Sequence, residues 1–208
     1  NHPTAEQGKY LVLRFNFSMV RATDDKLEAA FNRHISLETA YFASVYASYF
    51  KPDFQEQLKL IPEAAGRLEY ICLCAKEQGL SIYLLIDEYD NFTNTILSSK
   101  GNDVYHSLTH DSGFYRSFFN VVKGVTTGAE APVKRMFITG VSPVTLDDVT
   151  SGFNIGTNIT TDERFNSMVG FSESELHEML SYYQSEGMLV DSIDDIVRMM
   201  KPWYDNYC

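Results

Sequence analysis

Three features of the sequence predict an α/β fold: a mostly parallel, helix-covered sheet followed by a small helical C-terminal region. Residues 80–86 run almost continuously apolar, the pattern of a strand buried on both faces of a parallel sheet. A long stretch of helical period precedes this run and a second β-type run, residues 134–140, follows it, so strands and helices alternate. Residues 170–208 read as helix alone. The division expected is therefore an α/β core over residues 1–169 and a helical region over 170–208.

Taken in order, Tyr10-Leu11-Val12-Leu13-Arg14-Phe15-Asn16-Phe17 has the β-branched and aromatic content of a first strand. Thr23 or Asp24 can cap a helix whose apolar positions Leu27, Phe31, Ile35, Phe42, Val45, Tyr46 and Tyr49 recur at three- and four-residue steps. Asp53 can begin a second helix. Pro62 lacks an amide hydrogen, so it either starts a new helical turn or kinks the old one, and Gly79 ends the stretch. After the buried strand the chain turns polar through Asn91, Asn94, Ser98, Ser99, Gly101 and Asn102, which reads as a surface loop. A helix rich in Phe and Tyr is predicted over residues 112–122. The second buried strand, 134–140, runs into Val141-Ser142-Pro143, and residues 151–161, rich in Gly, Asn and Thr, read as a loop. Ser172 and Glu175 have capping-box spacing and open a helix that Gly187 stops; a last helix covers about residues 192–200.

Composition restricts what the chain does. With 208 residues and 44% hydrophobic content it can bury one sizeable core. The formal charge of -11 opposes unaided binding to nucleic acid, which depends on Lys and Arg displacing counterions. No leader and no apolar stretch of bilayer length occurs, and Cys72, Cys74 and Cys208 lack disulfide-framework spacing. A cytoplasmic chain with reduced thiols and no membrane partner is expected. The three glycosylation sequons, at Asn16, Asn91 and Asn158, are read as chance.

The strongest chemical signal is Asp87-Glu88 directly after the apolar run, because an open parallel sheet presents its crevice at the carboxyl ends of its strands. Such a pair suits metal-assisted phosphoryl transfer, Asp87 on the metal side and Glu88 on the attacking water; it equally marks a strand meeting solvent. Asp90 adds a third carboxyl group, which fits either a metal-facing edge or a solvated turn.

Five segments in order carry a resemblance: Leu84-Leu85-Ile86-Asp87-Glu88-Tyr89-Asp90-Asn91, Phe137-Ile138-Thr139-Gly140-Val141-Ser142-Pro143, Ser151-Gly152-Phe153-Asn154, Gly170-Phe171-Ser172 and Trp203-Tyr204-Asp205. Together they resemble the predicted AAA-ATPase-like family, over most of the chain. Members are similar to P-loop ATPases of the AAA and signal-transduction type, are mostly bacterial, and often continue into a nuclease-like PD-(D/E)XK domain. The resemblance implies a P-loop NTPase sheet, ATP and Mg2+ as ligands, Asp87 as the Walker B acid holding the metal, Glu88 as the catalytic acid, and Thr139 or Ser142 as sensor of the terminal phosphate. Arg116, Arg164 and Arg198 are possible charge-stabilising fingers or solvated residues; Arg135 lies at the wrong end of its strand.

The departure is the phosphate loop. No Gly-x-x-x-x-Gly-Lys-Ser/Thr occurs, and the one Gly-Lys step, Gly8-Lys9, is followed by Tyr10. The resemblance thus implies the central, incomplete segment of a larger hydrolase, inactive alone, starting after the loop and stopping at Tyr207-Cys208 before the lid and fused domain. A missing central strand would leave unpaired edges, so either self-association by edge pairing or a rearranged sheet is expected. The alternative is a non-catalytic interaction module of the same fold. A metal-dependent nuclease built on Asp87, Glu88 and Asp90 lacks the nearby Lys. His106 and His110 could face together if helical, but fall in what reads as a loop.

Overall fold

The computed structural model describes residues 4–20, 26–110, 113–141, 155–165, 168 and 170–204. Contacts divide the chain into two units, Asn1–Gly156 and Thr157–Cys208.

In the first unit, strands β1 (Leu11–Asn16), β2 (Ile82–Asp87) and β3 (Val133–Ile138) form a parallel sheet in that order. Leu11 pairs with Ile82 and Asn16 with Asp87 in unbroken register. Between β2 and β3 the register shifts after Ile82, so that Tyr83 faces Arg135 and Ile86 faces Ile138. The pleat sorts side chains by parity. Leu11, Leu13 and Phe15 are buried alongside Ile82, Leu84 and Ile86. Val12, Arg14, Tyr83, Leu85, Arg135 and Phe137 occupy the opposite face; Val12 is 42% exposed, and Tyr83, Leu85 and Phe137 are half-buried. The α/β class stands, yet the apolar run of β2 implies cover on both faces, whereas among the described residues the helices close one.

That cover comes from α1 (Leu27–Val45), α3 (Ala64–Glu77) and α6 (Phe114–Thr126), with α2 (Phe54–Lys59) against α1 and α3. The predicted stripe of α1 is buried at Leu27, Phe31, Ile35 and Phe42, while Val45 and Tyr49 are exposed and Tyr46 turns to the sheet edge, where its hydroxyl accepts the Val12 N–H at 3.1 Å. Pro62 lies between α2 and α3, neither kinking nor opening a helix. The Ala64 N–H that starts α3 instead donates to Asn32 Oδ1 at 2.9 Å. Gly79 ends α3 as expected, with φ of +65°. Tyr115, Phe118, Phe119 and Val122 of α6 are fully buried; Phe118 and Phe119 meet Phe17 edge-on at 5.9 and 6.3 Å between centroids.

The polar stretch after Asp90 differs most from its reading as a loop. It forms α4 (Asn91–Lys100) and α5 (Asn102–Thr109), separated by Gly101 at φ +86°. Asn, Ser and Thr are weak helix formers, but Phe92 and Ile96, one turn apart, and Tyr105 and Leu108 are buried in contact with their neighbours, and this packing outweighs propensity. Helix α5 also carries His106, with His110 just past its last residue.

Burial shifts the titration of Cys72, Cys74 and His34. Burial pushes the Cys72 thiol up to about 12, which makes it inert, and also raises Cys74; both are free. On α1, burial holds His34 below its ordinary value of 6.5, against the opposing pull of Glu38 and of a hydrogen bond to the Asn16 backbone. His34 therefore takes up a proton more readily unfolded than folded, and it weakens the fold as pH falls below about 6.5.

The second unit contains α7 (Glu173–Ser185) and α8 (Ile193–Tyr204). The capping box forms: Ser172 Oγ accepts the Glu175 N–H at 3.3 Å and Glu175 Oε2 accepts the Ser172 N–H at 2.8 Å. Gly187 stops the turn at φ +73°. Helix α8 runs past the predicted end and includes Pro202. Among the described residues no helix is long and apolar enough to cross a membrane.

Candidate functional site

Strands β2 and β3 end side by side, and their last residues interlock. Asp87 closes β2, and Glu88 follows with φ of +51°, the one non-glycine residue of positive φ among those described. Such a backbone costs on the order of 1 kcal/mol and is held by its surroundings. The holding contacts come from Thr139. Its N–H donates to the Ile86 carbonyl at 2.9 Å and its own carbonyl accepts the Tyr89 N–H at 3.0 Å, which fixes the turn on both sides of the acid pair. Its hydroxyl donates to Asp87 Oδ1 at 2.6 Å and accepts the Glu88 N–H at 3.3 Å. One side chain just past β3 thus fixes the Asp87 carboxyl group and the Glu88 backbone together.

The two acids face different ways. Asp87 shares the open face of the sheet with Arg14, whose Nη2 lies 3.4 Å from Asp87 Oδ2. With side chains 61% and 41% exposed, this pair contributes little to stability, though it sets a positive charge beside the carboxyl group. Glu88 lines a cleft of about 370 Å³ with Asp90, Asn91, Asn94, Thr95, Ser98 and Val141.

Asp90 is not a solvated turn residue. It is 1% exposed, accepts the Val141 N–H through both carboxyl oxygens at 3.1 and 3.0 Å, and accepts Asn94 Nδ2 at 3.1 Å. It clamps the chain leaving β3 onto the start of α4. Beneath it Tyr89 is buried, and its carbonyl accepts the Tyr115 hydroxyl. The clamp leaves no room at Gly140, where a Cβ would lie 2.2 Å from Tyr89 Cε1 and 2.8 Å from Asp90 Oδ1.

Of the residues singled out by sequence, Asp87, Glu88 and Thr139 are brought together. Ser142, the Ser151–Asn154 loop and Asp205 lie outside the described residues. Arg135 sits beside Tyr83, away from the acid pair, and its Nη2 is 3.8 Å from Glu6. Arg116 is half-buried on α6. In the second unit Arg164 pairs with Asp162 and Arg198 with Asp195. Sequence reasoning missed Arg14 and the clamp of Asp90. The first is signalled only by parity, once Arg14 is known to pair with Leu85, two residues before Asp87.

Carboxyl and hydroxyl oxygens are the donors a hard cation takes, and Asp87, Glu88 and Thr139 supply them alone. Among the described residues no group of three or more His, Cys, Asp or Glu could hold a metal. Mg2+ does not need one, since it is bound through one or two carboxylates, water and phosphate oxygens. The donor set therefore fits Mg2+ held mostly by water and ligand.

The family whose model matches the chain is described as predicted AAA-ATPase, and the match covers residues 1–150. No curated protein and no solved structure matches. More than half of the sequence, including β1, β2, β3 and the acid pair, lies within the match: the chain belongs to the predicted AAA-ATPase family.

Proposed function

We propose that this chain supplies the metal-side and water-activating half of a magnesium-dependent, cytoplasmic ATPase, and that ATP is held only when a phosphate loop upstream completes the site. The observation that carries the reading is the Thr139 hydroxyl joined at once to the Asp87 carboxyl group and the Glu88 amide. Asp87 holds the hydrated metal, and Glu88, in its cleft, orients and polarises the attacking water. Thr139 senses the terminal phosphate by changing partners between it and Asp87, with Ser142 as the other candidate sensor. Bound Mg2+ would offset the charge on the outer phosphate oxygens. By itself the chain hydrolyses little or no ATP.

The test is magnesium-dependent binding of labelled ATP to the chain and to a form extended upstream in its gene. The extended form should bind, and Asp87→Ala should weaken binding by about tenfold or more, roughly 1.4 kcal/mol. Absence of binding in both forms overturns the reading.

One observation favours a second reading, a non-catalytic interaction module: the sheet face bearing Val12, Tyr83, Leu85 and Phe137 remains partly open, and β3 is an edge strand. Under it the chain pairs with a second copy along β3. Light scattering should then give a mass that rises with concentration, and Phe137→Lys should return it to the monomer. A constant monomer mass rejects this pairing.

A further inference from the structure

His106 and His110 belong to neither site above. They stand one turn apart at the end of α5, His106 exposed and His110 half-buried, with Nδ1 atoms 3.2 Å apart and ring planes crossing at 65°. Both rings are held in place. His106 meets the buried Tyr105 ring edge-on at 5.8 Å, and the His110 backbone N–H closes the last helical turn on the His106 carbonyl at 2.9 Å. Thr109 Oγ1 donates to the Tyr105 carbonyl at 3.0 Å, so at its 2.9 Å contact with His110 Nδ1 it accepts. Two ring nitrogens thus converge within hydrogen-bond distance of each other, an arrangement in which a cation can take the place of a bridging proton.

We infer that His106 and His110 form a two-histidine site for a borderline divalent metal of the zinc, nickel and copper class. With metal–nitrogen bonds of about 2.1 Å, a nitrogen separation of 3.2 Å subtends roughly 100° at the metal, between the octahedral right angle and the tetrahedral angle. Histidines four residues apart present both rings on one helix face, as chelation requires. Imidazole selects this class over Mg2+, so the site is distinct in chemistry from the carboxyl and hydroxyl oxygens around Asp87. No third His, Cys, Asp or Glu completes a cluster among the described residues, so water or a small anion fills the remaining positions. Affinity follows the usual order, copper above nickel and zinc.

The experiment is calorimetric titration of the metal-stripped chain with nickel chloride and with zinc chloride, repeated on His106→Ala, His110→Ala and, as control, His177→Ala. One equivalent should bind with a micromolar dissociation constant, weakened at least about tenfold by either of the first two changes and unaltered by the third. Imidazole nitrogen spectra of the wild-type chain should show Nδ1 of His106 and His110 shifting together on zinc addition. Equal binding in all variants, no binding in the wild type, or a shift at other histidines alone overturns the site. None of these outcomes depends on ATP.

Discussion

Glu88→Gln should reduce ATP turnover in the upstream-extended form by about a hundredfold or more, while Mg-ATP binding stays within about twofold. The change keeps the length and shape of the side chain and removes its ability to take a proton. Glu88 N–H donates to Thr139 whichever side chain follows, and the φ of +51° belongs to the backbone, so the turn is preserved. A general base typically contributes a factor of about 10² to 10⁴, and the loss should appear in kcat with KM nearly unchanged. Phosphate release under saturating ATP measures it. Turnover equal to wild type would remove Glu88 from the chemistry even if Asp87→Ala still abolished binding, and it would shift attention to a water-activating group elsewhere.

Much of this site was legible in advance because its signal is local. A nearly continuous apolar run over residues 80–86, followed at once by Asp87 and Glu88, announces itself in one short window. Thr139 follows from the same logic at the end of the next strand. What the sequence hid depends on pairing. Arg14 and Asp87 are 73 positions apart and meet because β1 and β2 lie in parallel, in-line register. The burial of Asp90 has no local signal, since the Val141 N–H that donates into it comes from the chain just past β3, 51 positions on. Helices α4 and α5 were hidden for a different reason. Their exposed positions are weak helix formers, and the few residues that decide the matter, Phe92 and Ile96 in one and Tyr105 and Leu108 in the other, are too sparse to show a period. The same error concealed the approach of His106 to His110, which only a helix permits.

The largest loss of stability should come from Asp90→Ala, about 3 kcal/mol, read from urea unfolding of the chain. This carboxyl group, 1% exposed, accepts the Val141 N–H through both oxygens and the Asn94 amide; removing it leaves both donors without that acceptor where water has little access. Gly140→Ala attacks the same clamp by crowding. A methyl group 2.2 Å from a buried tyrosine ring forces Tyr89 or the strand end to move, at a cost of about 2 kcal/mol. Because each change disorders the segment the other depends on, the double variant should lose clearly less than the sum, by about 1 kcal/mol or more. Additive losses would mean that Asp90 and Gly140 act separately, and that the β3 end is fixed by Thr139 alone. The distinction bears on the acids themselves: if the clamp is one unit, loosening it should also loosen Thr139, and with it the Asp87 carboxyl group and the Glu88 amide that its hydroxyl joins.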